Sequence, residues 1–279
     1  MRLLVTGSRG QLGKALARVA AERGHVFFGY DLPDLDITDA AAVMSAIDEA
    51  RPDAVINCAA FTAVDAAENE GARALAVNGT AVAGLAAAAD AVGAVLVQIS
   101  TDYVFDGTAR RPYREDDPVN PQSVYGRTKL AGERAAAAAR HHLVARTAWL
   151  FGEGGNFVDA IRRQIEAGAA NVRVVSDQRG CPTYAEDLAG AVLRLVESGV
   201  EGTVHAVNAG DASWAELAQE IIRRLGVDVT VIPITTAEAA RPAPRPAHAV
   251  LDTSRLRALL GDGLRPWQEA VGDYLGRNG

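Results

Sequence analysis

The sequence has few cysteines, few aromatic residues and a deficit of positive charge. Cys58 and Cys181 are its only cysteines, too few for a disulfide framework or a zinc site, and both are expected to be small buried thiols. The formal net charge of -7 disfavours nucleic acid or an anionic membrane as a partner. No apolar run approaches the roughly 20 residues that a membrane-spanning helix needs, and MRLLVTG at the N-terminus starts as a strand, not as a signal sequence. These absences predict a cytoplasmic protein with no membrane and no nucleic-acid partner.

The residues that are present indicate an α/β protein. Hydrophobic residues make up 49% of the 279 residues, and aromatics only 5%. Ala, Val and Leu dominate, as in proteins whose helices cover a Val/Leu-rich sheet. Strands are predicted over 2–6, 26–30, 54–59, 94–99 and 142–147, and helices over 14–23, 39–50 and 72–92. This alternation implies βαβ units and a parallel sheet.

The regularity weakens after residue 150. Further strands are predicted near 172–175 and 203–207, and further helices near 156–167, 186–197 and 214–225. The segment 241–247, RPAPRPA, is the only proline-rich stretch, and its alternating prolines predict a loop.

A glycine loop follows the first strand. TGSRGQLG carries Gly7, Gly10 and Gly13 at G-x-x-G-x-x-G spacing. Glycine permits a tight turn, a close approach of the backbone to a pyrophosphate and tight packing of the next helix, whose N-terminus then receives the anion. We therefore predict a Rossmann-type doubly wound parallel sheet. A dinucleotide-binding domain over 1–150 would precede a smaller, mainly substrate-binding lobe over 151–279, parts of which return to the first domain.

The second strand ends near residues that bear on the choice of cofactor. Asp31 stands where an acidic residue accepts hydrogen bonds from the adenosine ribose and disfavours a 2′-phosphate, which favours NADH. Arg9, in the glycine loop, could instead pair with a 2′-phosphate, which favours NADPH. Asp36 and Ile37 follow where a loop under the adenine is expected, although Asp36 is equally compatible with an ordinary loop before a helix. The sequence thus predicts NADPH or NADH.

Tyr125 and Lys129, in SVYGRTKLAGE, are four residues apart and so project from one face of a helix. A free tyrosine has a pKa of roughly 10, and a nearby ammonium favours its phenolate. A surface lysine beside a half-buried tyrosine is the better interpretation of this fragment alone, because Tyr-x-x-x-Lys is a short pattern.

Several motifs together favour catalysis. They are AFTAVDAAE (60–68), STDYVFDG (100–107), VYGRTKLAGE (124–133), RTAWLFG with GNF (146–157) and DQRGCPT (177–183). With the glycine loop, they resemble the extended short-chain dehydrogenase/reductases and, more narrowly, the dTDP-4-dehydrorhamnose reductase family. The resemblance covers most of the first two thirds of the chain.

The resemblance implies a role for each matching residue. Tyr125 would give a proton to the ketone oxygen as a hydride arrives from the nicotinamide, while Lys129 would hold the nicotinamide ribose and lower the tyrosine pKa. Thr101 would hydrogen-bond the substrate oxygen. Pyrophosphate contacts would come from Gly10, Gln11 and Leu12, and the cofactor would be lined beyond the third strand by Ala60, Phe61 and Thr62. Substrate contacts would come from Asp102, Trp149 and Asn156. Without the resemblance, a core aromatic is the better interpretation of Trp149, and GNF could equally be a tight turn between lobes.

Two differences from the family's sequence pattern limit what the resemblance implies for this chain. Some family members bind magnesium at a dimer interface through a glutamate in the first helix, where this chain has Ala15. We therefore predict no metal, while a homodimer remains compatible with the resemblance. The family's loop near the C-terminus usually reads R-P-x-N-S, whereas this chain has His248 and Ala249 at its last two positions. The sugar preference could differ as a result, and His248 is expected to be a solvated loop histidine, not a general acid.

The resemblance implies reduction of the C4 ketone of dTDP-4-dehydro-L-rhamnose to dTDP-L-rhamnose. A 4,6-dehydratase is disfavoured, because such enzymes carry Asp-Glu after the matching threonine and this chain has Asp102 and Tyr103. A 4-epimerase is weaker still, since Ser-Ser is typical at that place. Two alternatives stay open: a 4-ketoreductase for another nucleotide-deoxysugar, as in antibiotic pathways, and a non-catalytic regulatory subunit that retains the fold.

Overall fold

The computed structural model describes residues 1–277. Its strands are β1 (Arg2–Thr6), β2 (Val26–Tyr30), β3 (Ala54–Asn57), β4 (Val95–Thr101), β5 (His142–Thr147), β6 (Leu150–Phe151), β7 (Asn171–Val175), β8 (Arg179–Gly180), β9 (Thr183–Tyr184), β10 (Gly202–His205), β11 (Ala212–Ser213) and β12 (Thr230–Ile234). Its α-helices are α1 (Gln11–Glu22), α2 (Ala40–Ala50), α3 (Val64–Ala67), α4 (Gly71–Leu75), α5 (Ala81–Val92), α6 (Val124–Ala136), α7 (Phe157–Glu166), α8 (Ala185–Glu197), α9 (Trp214–Leu225), α10 (Thr236–Ala239), α11 (Ser254–Leu260) and α12 (Trp267–Arg277).

Six parallel strands form the large sheet, in the order β10-β5-β4-β3-β1-β2. The strand order reverses between β1 and β3, and open α/β sheets bind ligands outside the carboxyl ends of the strands at such a switch point. The predicted doubly wound parallel sheet is confirmed. Helix α1 begins at Gln11 and not at residue 14, because the last turn of the glycine loop is already helical.

Helices cover both faces of this sheet. Leu3 and Val5 of β1 point to the face covered by α1 and α8, whereas Leu4, between them, points to the face covered by α2, α5 and α6. This is the alternation expected of a strand that is buried on both sides. The two resulting cores fix the carboxyl ends of β1, β3, β4 and β5 along one edge.

The predicted helix 72–92 is interrupted by a π-helical turn, Ala76–Thr80, between α4 and α5. The whole stretch Gly71–Val92 spans 22 residues and is apolar enough to cross a membrane by length and composition, so the expectation that no run approaches that length is wrong. Such a helix is weak evidence for a span. Val82 and Leu85 are completely buried between the helices and the sheet, which is the position of a core helix.

The smaller lobe has a core of its own. Strands β7 and β12 pair in parallel, and helices α7, α9 and α12 pack with them around Ile161, Ile221 and Val271. After the chain enters this lobe, α8 returns to the large sheet and β10 pairs with β5. A boundary at residue 150 stays a prediction, with α8 and β10 as segments that return across it.

Candidate active site

A cleft of about 840 Å³ lies at the carboxyl ends of the central strands. Seventeen of the predicted site residues line it: Gly7, Arg9, Gly10, Gln11, Leu12, Gly13, Asp31, Asp36, Ile37, Ala60, Phe61, Thr62, Thr101, Asp102, Tyr125, Lys129 and Trp149. Cofactor and ligand sites commonly occupy roughly 300–1,000 Å³. The predicted cofactor, catalytic and substrate groups therefore meet in one cleft.

The glycine loop is built for close backbone packing. Gly7 has φ +66°, and a Cβ at this position would lie 2.6 Å from the backbone nitrogen of Ala59. A Cβ on Gly13 would lie 2.3 Å from the carbonyl oxygen of Gly7. Gly10 is the N-cap of α1, and no side chain within residues 1–277 caps that helix. The first N–H groups of α1 therefore remain available to an anion at the cleft.

Asp31 and Arg9 are bonded at the other side of the loop. Asp31 accepts hydrogen bonds from the backbone N–H groups of Arg9 and Leu32, both at 2.8 Å. The Arg9 guanidinium donates to the Leu32 carbonyl at 2.7 Å and pairs with Asp34. The carboxylate and the guanidinium thus stand at the same end of the cleft, as the sequence predicted, but Arg9 already has an acidic partner.

Asp36 is held by its own loop. Its carboxylate accepts from the backbone N–H and the hydroxyl of Thr38, at 2.9 and 2.7 Å, and the backbone bond lowers the pKa of Asp36. The neighbouring Ile37 is buried. Both the ligand-facing and the loop-forming interpretation of Asp36 are compatible with this arrangement.

Asn78 positions the loop after β3, a role that sequence reasoning missed. Its Oδ1 accepts from the backbone N–H of Phe61 at 2.8 Å, and its Nδ2 donates to the Phe61 carbonyl at 3.0 Å and to Thr128 Oγ1 at 3.1 Å. Asn78 lies in the π-helical turn, and such turns are frequent at functional sites. An asparagine beside a glycine in an alanine-rich helix was the available signal.

Tyr125 and Lys129 extend from α6 toward the end of β4. Ser123 caps this helix by accepting from the Gly126 N–H at 3.0 Å, so the helix begins immediately before Tyr125. Lys129 Nζ donates to the Ile99 carbonyl at 2.6 Å. The Thr101 hydroxyl lies close enough to the Tyr125 phenol to influence its pKa. The predicted catalytic residues are therefore together.

Burial dominates the protonation of this group. It raises the pKa of Tyr125, as does the nearby Asp102, although the Thr101 side chain acts in the opposite direction. The expectation that Tyr125 has a lowered pKa is therefore wrong for this structure. Burial also lowers the pKa of Lys129 to about 8, against the raising effect of Glu133. At neutral pH the phenol is protonated and the amine is charged, which are the forms that proton donation requires.

Asp102 adjoins this group. Thr101 donates to Asp102 Oδ1 at 2.9 Å, and burial raises the pKa of Asp102 to about 7. In the part of the chain that the structure describes, three buried polar atoms of cleft residues have no hydrogen-bond partner: Gln11 Oε1, Asp102 Oδ2 and Thr147 Oγ1. Buried polar atoms are rarely left unsatisfied, so these atoms mark where a ligand would donate or accept. Sequence reasoning missed Thr147.

A buried ion pair supports the site from behind. Glu133 accepts from Arg146 Nε at 2.9 Å and from Nη2 at 2.8 Å, and both side chains are almost completely buried. Ser100 also donates to Glu133 at 2.5 Å. Because Glu133 lies one helical turn after Lys129, it keeps negative charge near the ammonium.

Asn156 is the one predicted site residue that the structure does not bring into the cleft. Its Oδ1 caps α7 by accepting from the Asp159 N–H at 3.0 Å, and its Nδ2 donates to the Gly152 carbonyl at 2.7 Å and to the Tyr274 hydroxyl at 3.0 Å. These bonds hold the amide within the small lobe. Asn156 therefore has a structural role, which agrees with the alternative interpretation of GNF as a tight turn.

The remaining cleft wall contains Trp149 and Trp214. The sequence singled out Trp149 and missed Trp214, which is the first residue of α9. No motif pointed to it, because Trp214 lies 65 positions after Trp149 and only the fold places them together.

The cysteines and His248 differ in part from expectation. Cys181 is buried as predicted, whereas Cys58 is only partly buried and lines the cleft. Burial raises the pKa of each thiol to about 12. His248 lies in a loop as predicted but is half-buried, with its Nδ1 buried, and its backbone N–H donates to the Gly107 carbonyl at 3.2 Å.

Metal ligands do not cluster in residues 1–277: no group of three His, Cys, Asp or Glu side chains could hold an ion. Ala15 is completely buried in the core between α1 and the sheet. An acidic side chain at that position would be buried among apolar groups. This burial supports the prediction that the activity does not need a metal ion, which stays a prediction.

Comparison with known proteins agrees with this geometry. A family model described as "RmlD substrate binding domain" matches residues 1–278. The dTDP-4-dehydrorhamnose reductase of Streptomyces griseus is 49% identical over 97% of this chain and 91% of its own length. A probable dTDP-4,6-dihydroxy-2-methyloxan-3-one 4-ketoreductase of Streptomyces antibioticus is 46% identical over 97% of this chain and 93% of its own.

A solved structure extends the likeness to the whole fold. The dTDP-4-dehydrorhamnose reductase of Bacillus anthracis, crystallised with NADP, superposes with a TM-score of 0.95 at 35% identity, over 99% of each chain. Its cofactor-bound state concerns that protein, but the shared fold places the same strand ends around the cleft. With a family model along nearly its whole length and relatives of this identity, the chain belongs to the dTDP-4-dehydrorhamnose reductase family.

Proposed function

We propose that this protein is an NAD(P)H-dependent reductase that converts the C4 ketone of dTDP-4-dehydro-L-rhamnose to the alcohol of dTDP-L-rhamnose. One observation carries the proposal: Thr101, Tyr125 and Lys129 meet at the end of β4, in the same cleft as the glycine loop. We infer the substrate from the membership of the chain in the reductase family.

The residues of the cleft fit a dinucleotide. Gly7 and Gly13 leave room for close backbone approach, and the uncapped first turn of α1 provides N–H donors for a pyrophosphate. Asp31 stands where the adenosine ribose would be bound, and Phe61, held by Asn78, borders the middle of the cleft. A reduced nicotinamide bound here supplies the hydride that the reaction needs.

The chain's own residues supply the proton and the orientation. Tyr125 holds its proton at neutral pH because burial raises its pKa, and it gives that proton to the ketone oxygen as C4 gains the hydride. Thr101 orients the same oxygen through its hydroxyl. Lys129, which follows Tyr125 by four residues on α6, carries its charge at neutral pH and would stabilise the phenolate once it has formed. Asp102 and Trp149 would contact the sugar.

The direct test is turnover. Purified protein is mixed with dTDP-4-dehydro-L-rhamnose and NADH or NADPH, cofactor oxidation is followed by absorbance, and the product is identified as dTDP-L-rhamnose. A Tyr125→Phe protein in the same assay is the control for reduction by contaminants. Binding of cofactor without oxidation would contradict the proposal and favour a regulatory subunit.

A second experiment tests which sugar the protein prefers as its substrate. The 46% identical relative from Streptomyces antibioticus carries the name of a ketoreductase for a different dTDP-linked sugar. A panel of dTDP-linked 4-keto-6-deoxy sugars with and without the 2-hydroxyl, compared by kcat/KM, should give the largest value for dTDP-4-dehydro-L-rhamnose. A larger value for another member would move the proposal to the ketoreductase alternative.

A further inference from the structure

Two tryptophans form one wall of the cleft. The indole rings of Trp149 and Trp214 stack with their centroids 3.6 Å apart and their planes inclined by 7°. Both residues are half-buried and both line the cleft. Phe157 packs against Trp214 from the small lobe, with centroids 4.7 Å apart. The wall therefore joins the end of β5 to the two helices α7 and α9 of the small lobe.

The backbone of Trp149 adopts a conformation that side chains disfavour. Its φ is +44°, in the left-handed region that is uncommon outside glycine. Such a conformation persists only when the surrounding structure over-determines it, and it concentrates at ligand clamps and active sites. The Thr183 N–H donates to the Trp149 carbonyl at 3.2 Å, and contacts of the indole add to this restraint.

Gly180 supplies one of these contacts. A Cβ on Gly180 would lie 2.5 Å from Cε2 and 2.6 Å from Nε1 of Trp149, distances that real side chains do not reach. The glycine of the DQRGCPT motif thus lets the backbone of β8 pack directly on the indole. Any side chain there would displace Trp149.

Trp214 supplies the other contact and is itself fixed. It begins α9, where Ser213 and Glu216 form a capping box. Its Nε1 donates to Gln178 Oε1 at 3.2 Å. The residue that covers Trp149 is therefore anchored both by a helix start and by the segment just before Gly180.

We propose that Trp214 and Gly180 are positioning residues that hold Trp149 as a fixed wall, and that this wall sets the affinity for the nucleotide-sugar while leaving proton transfer unaffected. The inference rests on the proposed function for the identity of the ligand. A rigid aromatic wall binds with little loss of side-chain entropy, because the indole is already held in one orientation. Losing it should weaken binding of substrate and product alike, which is the mark of uniform binding.

The first test removes the stack. Trp214→Ala should raise KM for the keto sugar, and Kd for dTDP-L-rhamnose measured by calorimetry, by about tenfold or more, the range for lost apolar contacts in a pocket. Expected kcat and cofactor Kd stay within about threefold, because Tyr125 and Lys129 are untouched. Trp214→Phe, which keeps a flat ring, should recover part of the loss. Wild-type KM and Kd in Trp214→Ala would overturn the proposal, as would a loss confined to kcat.

The second test moves Trp149 without changing any tryptophan. Gly180→Ala inserts a Cβ into the indole and should raise KM and Kd in the same way. Gly190→Ala is the matched control, because a Cβ there meets nothing within 4 Å. It should leave KM, Kd and kcat at wild-type values. Thermal unfolding of all variants identifies any that fail to fold, and if Gly180→Ala is one of them, Trp214→Ala and Trp214→Phe still decide.

The two proposals fail in different ways. A wild-type protein that binds dTDP-L-rhamnose but reduces no keto sugar contradicts the proposed function, while the product Kd of the variants still tests the wall. A wild-type protein that turns over normally, with unchanged Kd in Trp214→Ala and Gly180→Ala, overturns the wall alone. A wild-type protein that binds neither dTDP-L-rhamnose nor the keto sugar overturns both.

Discussion

Lys129 places its ammonium 2.6 Å from the carbonyl oxygen of Ile99, at the end of the strand that carries Thr101. The lysine is almost completely buried, so the carbonyl and the negative charge of Glu133 compensate only part of the cost of removing the ammonium from water. Its charge is consequently lost at a lower pH than the charge of an ordinary lysine.

This relationship predicts an alkaline loss of activity. Burial lowers the pKa of Lys129 to about 8, so the ammonium is present below that pH and is lost as the pH rises through it. We expect kcat/KM to fall as the pH rises through about 8, measured as a pH profile with saturating cofactor. Lys129→Met should show low turnover at every pH and no such limb. A wild-type profile that stays flat to about pH 10, the ordinary lysine range, would contradict this assignment.

Tyr125→Phe should abolish most turnover without loss of binding. The change keeps the ring and its edge-to-face contact with Tyr103 but deletes the transferable proton, so kcat should fall by about 10² to 10⁴. Tyr30→Phe, in β2 and outside the cleft, is the matched control for loss of a hydroxyl and should keep its rate. Near wild-type turnover of Tyr125→Phe at saturating ketone would exclude the mechanism.

The cofactor preference should be weak. Because Asp31 would oppose a 2′-phosphate, and Arg9, which pairs with Asp34, would favour one, we expect NADH and NADPH to serve within about tenfold of each other, or about 1.4 kcal/mol. Asp31→Ala should shift the ratio of the two kcat/KM values toward NADPH. An unchanged ratio would mean that Asp31 does not contact the adenosine ribose.

Chelators should leave activity unaffected. Ala15 is buried where a metal-binding glutamate would be needed, and residues 1–277 hold no cluster of potential ligands. The measurement is turnover after dialysis against EDTA, with and without added magnesium. Activity that disappears in EDTA and returns with magnesium would show this prediction to be wrong.

Asp102 should make the protein less stable as the pH rises. Its pKa is raised from 3.8 to about 7 by burial, so the folded state binds more protons than the unfolded state between these values. The free energy of unfolding therefore falls over that interval, on the order of a few kcal/mol from this group. Urea unfolding at several pH values should show a smaller fall for Asp102→Asn. An identical pH dependence in the variant would contradict the assignment.

Asp106→Asn provides the control of opposite sign. Hydrogen bonds from Tyr113 and Thr108 lower the pKa of Asp106 to about 2. Its contribution is present above the ordinary aspartate pKa and is lost as the pH falls toward about 2. The variant should therefore lose stability near neutral pH, and the difference from wild type should shrink in acid.

The sequence alone determined the α/β class, the parallel sheet and most of the cleft. The periods of strands and helices are local properties of the chain. The spacing of Gly7, Gly10 and Gly13 likewise predicts a tight turn in which the backbone packs closely. Tyr125 and Lys129 share a helix face because they are four residues apart, although only the longer motifs made catalysis the better interpretation.

Tertiary structure decided what depends on distant residues. The pKa of Tyr125 rises because several elements bury it, which no spacing between Tyr125 and Lys129 reveals. Asn156 looked like a ligand contact, but its amide is used to cap α7 and to bond Tyr274, 118 residues away. Trp214 stacks on Trp149 only because α9 of the small lobe packs beside the end of β5. Burial and long-range packing depend on residues that are distant in the sequence and meet only in the folded chain. They therefore cannot be predicted from a local pattern of residues.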